Sequence, residues 1–192
     1  MKQLLHITDP QKTFMEKNGV LYVNNADKII QPMNEFVRVT QFDKRIVTMD
    51  THYEKTYAKT SESKMFKLHA KYGSNDWKLA INITVPYTRV LKGQFDVWAN
   101  PKKMEKALSG YTPENTIIVF CGVASDYCDR DAIRGYLVRG YYVTVISDLC
   151  MGINRQIDQV AREDFGEFQK TGQLKLQTAN EWLNTKGRLN DH

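Results

Sequence analysis

The chain is short of several things, and each shortage excludes a class of protein. Among 192 residues there are three cysteines, Cys121, Cys128 and Cys150, an odd number lying in or beside strand-like stretches. That is no disulfide framework, and it fits a reducing cytosol better than a secreted scaffold. Long apolar runs are missing too. No stretch approaches membrane-spanning length, and Asp9 and Pro10 cut short the opening apolar run, so neither a membrane partner nor a signal peptide is expected. There is no internal repeat, low-complexity tract or domain linker. Basic residues exceed acidic ones, 27 to 22, for a net charge of +5, but they are scattered. The denser spots, Lys55 to Lys71 and Lys102, Lys103 and Lys106, form no focused stripe, so no nucleic-acid partner is expected. Histidine is scarce. Of four, His6 falls in a strand and His192 at the terminus, leaving His52 and His69 for chemistry.

What is present reads as one domain over residues 1–192, long enough to bury about 70% of the surface its unfolded form exposes. Strands are expected at Lys2–Thr8, Lys44–Met49, Tyr87–Leu91, Asn115–Val123, Tyr141–Leu149 and Gln173–Gln177. Helices are expected at Ala26–Phe42, with Pro32 starting or kinking it, at Pro101–Ser109, after Cys128 and at Asn154–Lys170, with a closing turn at Glu181–Asn184. Lys12–Asn25 reads as a loop with a minor extended piece at Val20–Val23, and Thr51–Thr84 as a long aperiodic loop of the kind that carries function. Such alternation predicts a three-layer α/β/α fold with a mainly parallel six-stranded sheet and right-handed crossovers.

The most informative stretch is Val119-Phe120-Cys121-Gly122-Val123-Ala124-Ser125-Asp126-Tyr127-Cys128, a buried strand running through a tight turn into a helix. Cys128 falls in the first helical turn, where free N–H groups and the helix dipole favour a thiolate and can hold an oxyanion. Asp9 and Asp50 each fall at the carboxyl end of a strand, the edge where open α/β sheets collect ligands. Asp50 and His52, two apart on extended chain, point the same way; with His69 they make an Asp, His, His set suited to zinc, iron or manganese.

Gly122-Val123-Ala124-Ser125-Asp126-Tyr127-Cys128 resembles the nucleophile turn of the nicotinamidase branch of the isochorismatase-like cysteine hydrolases. Asp9-Pro10-Gln11-Lys12-Thr13-Phe14, Asp50-Thr51-His52, His69 and Lys92-Gly93 match further family motifs in the family's order, and the resemblance covers residues 3 to 150. Thr13 is a departure, standing where the family often has a second aspartate.

The resemblance implies a strand order of 3-2-1-4-5-6, which brings Asp9 beside Cys128. It implies Cys128 as nucleophile, Asp9 as proton carrier, Lys92 holding both anions and keeping the thiolate accessible near neutral pH, and an oxyanion hole from the N–H groups of Ala124 and Cys128. The bond corresponding to Val123–Ala124 is commonly cis in the family. Phe14 and Phe66 match the rings that flank the pyridine of nicotinamide, with core packing as the alternative for each. One divalent metal ion is implied, zinc first and iron or manganese next, on Asp50, His52 and His69. Glu62 is the candidate fourth ligand and Glu54 a weaker one. The function implied is hydrolysis of nicotinamide to nicotinate and ammonia through a cysteine thioester, in the cytoplasm, by a chain compatible with homo-oligomers. The alternatives are another small-amide hydrolase, an isochorismatase-type enzyme, or a catalytically silent binding protein on the same fold.

Overall fold

The computed structural model describes residues 1–189; His192 lies outside the described residues. The chain runs β1 (Lys2–Thr8), α1 (Lys12–Met15), α2 (Ile30–Val39), β2 (Lys44–Asp50), α3 (Glu54–Tyr57), β3 (Thr88–Lys92), α4 (Pro101–Ala107), β4 (Thr116–Val123), α5 (Arg130–Leu137), β5 (Tyr142–Met151), α6 (Ile157–Lys170), β6 (Leu174–Gln177) and α7 (Ala179–Leu189). All five strand pairings are parallel, in the order β3-β2-β1-β4-β5-β6, with helices on both sides. The expected fold and strand order are therefore found.

Coverage on both faces explains the strand sequences. The last five residues of β1 and of β2 are all buried, and β4 is buried except at Ile117, so these strands read as continuous apolar runs rather than alternating ones. At the end of β4, Gly122 is level with Thr8 and has φ of +148°. A Cβ there would come 2.4 Å from the Thr8 carbonyl oxygen, so only glycine lets β1 and β4 close up at this point. The peptide bond between Val123 and Ala124 is cis.

Several elements differ from expectation. The helix expected at Ala26–Phe42 is a 3₁₀ turn, Ala26–Ile29, followed by α2; Pro32 sits in the first turn of α2, where its missing N–H costs no helical bond. Val20–Val23 forms no strand, and Lys12–Met15 is helical instead. The long loop contains α3 and a 3₁₀ turn at Glu62–Lys64, both too short for any period to reveal. Cys128 lies in a π-helical turn, Ser125–Asp129, that leads into α5. The closing turn expected at Glu181–Asn184 is the middle of a longer helix, because buried Trp182 stacks on Phe42 with ring centroids 5.2 Å apart.

Candidate active site

Four neighbouring strands each deliver one group to the same sheet edge. Asp9 follows β1, Asp50 ends β2, Lys92 ends β3 and Cys128 follows β4. Register sets their spacing: Thr8 is level with Thr48 and Gly122, and Asp50 with Lys92.

Lys92 is the hub. Its Nζ lies 2.7 Å from Asp9 Oδ2 and donates to Cys128 Sγ at 3.3 Å and to the Gln94 carbonyl at 3.1 Å. Asp9 takes a further hydrogen bond from the Thr48 hydroxyl at 3.1 Å, and its φ of +46° turns it away from the strand path, a conformation that aspartate tolerates better than most residues. All three groups are buried. Burial pushes the Cys128 thiol well above its ordinary value; Lys92 pulls the other way, while Asp9 and Asp50 add to the rise. The carboxyl of Asp9 is likewise raised by burial, against the opposing charge of Lys92. Burial also works against the charge on Lys92, but Asp9, Cys128 and Asp50 together hold it well above the lysine range. Burial thus opposes the thiolate that a helix start and the charge of Lys92 favour. A base has to take the proton, and Asp9 is the carboxylate within this group.

Beside this trio, Asp50, His52, Glu62 and His69 are all buried and offer ligand atoms that lie within 4.8 Å of one another. Both imidazole Nε2 atoms lie 3.0 Å from Asp50 Oδ2, and Glu62 Oε2 is 3.1 Å from His52 Nε2 and 3.8 Å from His69 Nε2. His52 is set by a parallel bridge to Lys71 in the returning chain: its N–H donates to the Ala70 carbonyl at 3.1 Å, and its carbonyl accepts from Tyr72 at 2.9 Å. Ala70, with φ of +42°, makes the turn that brings His69 to face it. Glu54 stays outside, exposed and 2.6 Å from Lys71 Nζ.

The donor chemistry of this group calls for a cation at its centre. His69 Nδ1 lies 2.9 Å from the Lys67 carbonyl, which requires a proton on Nδ1 and leaves Nε2 as an acceptor. That acceptor then faces a carboxylate oxygen at 3.0 Å, an arrangement stable only with a proton or a metal ion between them. Both carboxylate oxygens of Glu62 are buried with no hydrogen-bond partner among the described residues, while His52 Nε2 stands at ion-pair distance from one of them. Burial opposes charge on Asp50, yet Lys92 and the two imidazoles hold it well below the carboxylate range. Two imidazoles and two carboxylates around one point fit a divalent metal ion.

The two groups open on one cavity, lined by Cys128, Ala124 and Val123 together with Asp50 and His69. Its remaining walls are apolar: Phe14, Leu21, Val23, Phe66, Phe95, Tyr127 and Ile153. Phe14 and Phe66 lie against the His69 ring, with centroids 5.7 and 6.2 Å away, and Phe66, Phe95 and Tyr127 meet edge to face or tilted at 5.3 to 6.0 Å. The cavity thus sets aromatic walls beside a nucleophile and a metal-type donor set. Sequence reasoning missed Thr48, Phe95, Tyr127 and Ile153. Thr48 carried a signal, since it is two residues before Asp50 on the same strand face. Tyr127 stood in the nucleophile turn without a sign that it lines a wall, and Phe95 and Ile153 carried no signal.

Comparison with known proteins agrees with this geometry. The isochorismatase domain family model matches residues 3–171. The nicotinamidase of Escherichia coli (strain K12) is 31% identical over 90 residues, 46% of this chain and 41% of that relative, so the match spans less than half of the relative's length. Among solved structures, a pyrazinamidase of Pyrococcus horikoshii in complex with zinc aligns with a TM-score of 0.75 at 23% identity, covering 93% of this chain and 99% of its own. PnC1 from L. infantum in complex with nicotinate aligns at 0.78 and 19%, covering 94% of each chain. Those identities speak for the fold, whereas the family model spans most of the sequence and includes every residue of the site, so the chain belongs to the isochorismatase domain family.

Proposed function

We propose that this protein is a single-domain amidohydrolase that converts nicotinamide to nicotinate and ammonia through a thioester on Cys128. The observation that carries this reading is the hub geometry, Lys92 at 2.7 Å from Asp9 and 3.3 Å from Cys128, opening on the same aromatic cavity as the Asp50, His52, Glu62 and His69 group. The nicotinamidase, the pyrazinamidase and the nicotinate complex among the similar proteins support the choice of a heteroaromatic ring carboxamide.

Asp9 accepts the proton of the buried thiol as the sulfur attacks the carboxamide carbon. The N–H groups of Ala124 and Cys128 hold the resulting oxyanion. Asp9 then gives its proton to the nitrogen, the C–N bond breaks, and ammonia leaves a thioester on Cys128. A water molecule, deprotonated by Asp9, attacks the thioester carbon, the C–S bond breaks as the sulfur takes back that proton, and the product acid loses its own proton to solvent to leave as nicotinate. Throughout, Lys92 keeps its charge and holds the carboxylate and the sulfur in register. Phe14 and Phe66 flank the ring. Asp50, His52, Glu62 and His69 would hold one divalent ion, zinc first by donor type with iron and manganese next. When bound, that ion would supply Lewis acidity at the wall of the substrate cavity.

Rapid acid quenching of the enzyme with nicotinamide, followed by mass spectrometry, should find a nicotinoyl adduct on Cys128 and none in Cys128→Ala. Ammonia release at wild-type rate from Cys128→Ala would overturn the thioester route. No ammonia from the zinc-loaded wild-type enzyme would overturn the substrate.

A further inference from the structure

The nucleophile turn carries a second acid that the chemistry above does not use. Asp126, two residues before Cys128, is buried, and its carboxylate accepts three successive backbone N–H groups from another part of the chain. Ile153 donates to Oδ1 at 2.9 Å, and Asn154 and Arg155 donate to Oδ2 at 2.8 and 3.2 Å. Three consecutive amides converging on one carboxylate form an anion-holding nest, here filled from within the molecule. The segment so held connects β5 to α6, and it is clamped at its ends as well. The Gln156 side-chain amide accepts from Gly152 N–H at 3.2 Å and donates to its carbonyl at 3.3 Å, and Arg155 pairs with Asp164 at 2.9 and 3.0 Å.

The purpose of that clamping lies in Ile153. Its side chain lines the cavity beside Cys128 and is 41% exposed, so it is an outer wall rather than core. No other cavity residue comes from the segment after β5. One turn thus places the thiol through Cys128 and, through Asp126, sets where the Ile153 wall stands.

We propose that Asp126 is a positioning residue for the substrate ring and that Ile153, held by it, is a specificity-determining residue that limits the site to unsubstituted six-membered heteroaromatic carboxamides. This rests on the amidohydrolase reading for its substrate, and its test separates the two. In Asp126→Asn the amide keeps one acceptor oxygen and turns an NH₂ group toward backbone donors, so the nest opens. Hydrogen exchange, which needs no turnover, should then quicken at the Ile153, Asn154 and Arg155 amides by about tenfold, while amides of β1 and β4 keep their rates. The KM for nicotinamide should rise about tenfold with kcat changed far less, because ring seating is lost and the trio is not. Ile153→Ala, a change at a half-exposed site that the fold can absorb, should raise kcat/KM for at least one ring-methylated nicotinamide relative to nicotinamide by about tenfold.

Unchanged exchange at the three amides in Asp126→Asn overturns the positioning role, whatever the enzyme's substrate. A fall in kcat with KM unchanged also overturns it, since the residue would then be shaping the nucleophile turn alone. An unchanged ratio across the methylated series in Ile153→Ala overturns the specificity role. A wild-type enzyme that releases no ammonia from nicotinamide, with fast amide exchange in Asp126→Asn, overturns the substrate and the ring limit and leaves the nest as an architectural clamp.

Discussion

Glu62 shows how much depends on a single buried carboxylate. With both oxygens lacking hydrogen-bond partners among the described residues, it is costly to keep unless a cation sits beside it. Glu62→Ala should therefore weaken zinc affinity by at least about tenfold, since loss of a mere outer-shell partner already costs that much. A competition titration against a zinc indicator reads this directly, and equal affinity would remove Glu62 from the ligand set. His6 makes the opposite case, a titratable group kept neutral. Its ring lies 3.0 Å from the Tyr136 hydroxyl and 3.5 Å from that of Thr48. Burial first and Lys92 second lower its pKa from 6.5 to about 3. A depressed histidine favours the unfolded chain once acid protonates it there. The stability it lends is complete above pH 6.5 and is lost as pH falls from 6.5 toward 3. From pH 7 to pH 5 the wild type should lose about 2 kcal/mol more than His6→Gln, a difference readable from urea midpoints at the two pH values. Equal losses would mean that His6 is solvated enough to titrate normally.

Among the elements, α5 is fixed by a residue it lacks. A Cβ at Gly135 would fall 1.9 Å from a carbon of the Trp98 ring, whose Nε1–H donates to the Ala132 carbonyl at 3.2 Å. Alanine gains about 1 kcal/mol over glycine in a helix, but overpacking against a ring held on both sides costs about 1–3 kcal/mol or more. With the ring contact as close as 1.9 Å the cost falls at the upper end, so Gly135→Ala should lower the melting temperature by several degrees, up to about 8 °C, in a thermal scan; an equal or higher value would show that Trp98 moves freely. Nothing in the sequence near Gly135 announces this, because the ring comes from a 3₁₀ turn at Val97–Ala99, far along the chain. The same reason separates what could be read from what could not. Strands such as Thr116–Val123 declared themselves because both faces are buried and the apolar run is continuous. The nucleophile turn and the Asp50-Thr51-His52 pair were legible from their place at strand ends and from resemblance. Glu62 came from the resemblance, with reach preferring it to Glu54, whereas the part of Phe95, Tyr127 and Ile153 in the cavity wall was not legible. These last three have no period, and only the crossing of separate loops makes them one wall. α7 was underestimated because its anchor, Trp182, acts through Phe36 and Phe42, on residues distant in sequence.

For the whole molecule, chain order and spatial order disagree, and the site straddles the disagreement. Asp50, His52, Glu62 and His69 lie within 19 residues of one another in the chain, whereas β1 must pair with β4 across more than 100, as Lys2 with Thr116. Contacts between distant residues form more slowly. When the denatured protein refolds in the presence of zinc, metal capture should precede the return of ammonia release. Identical rate constants for the two would mean that the metal group waits for the complete sheet. The closure of β1 on β4 at Gly122 has one more consequence. Everything that would hold the ion and carry the proton is contributed by the β1–β3 half of the sheet, and the sulfur by the β4–β6 half. The seam is thus a division of labour between the carboxylates, imidazoles and lysine on one side and the thiol on the other, and a change at the glycine that joins them would part the two sets at once.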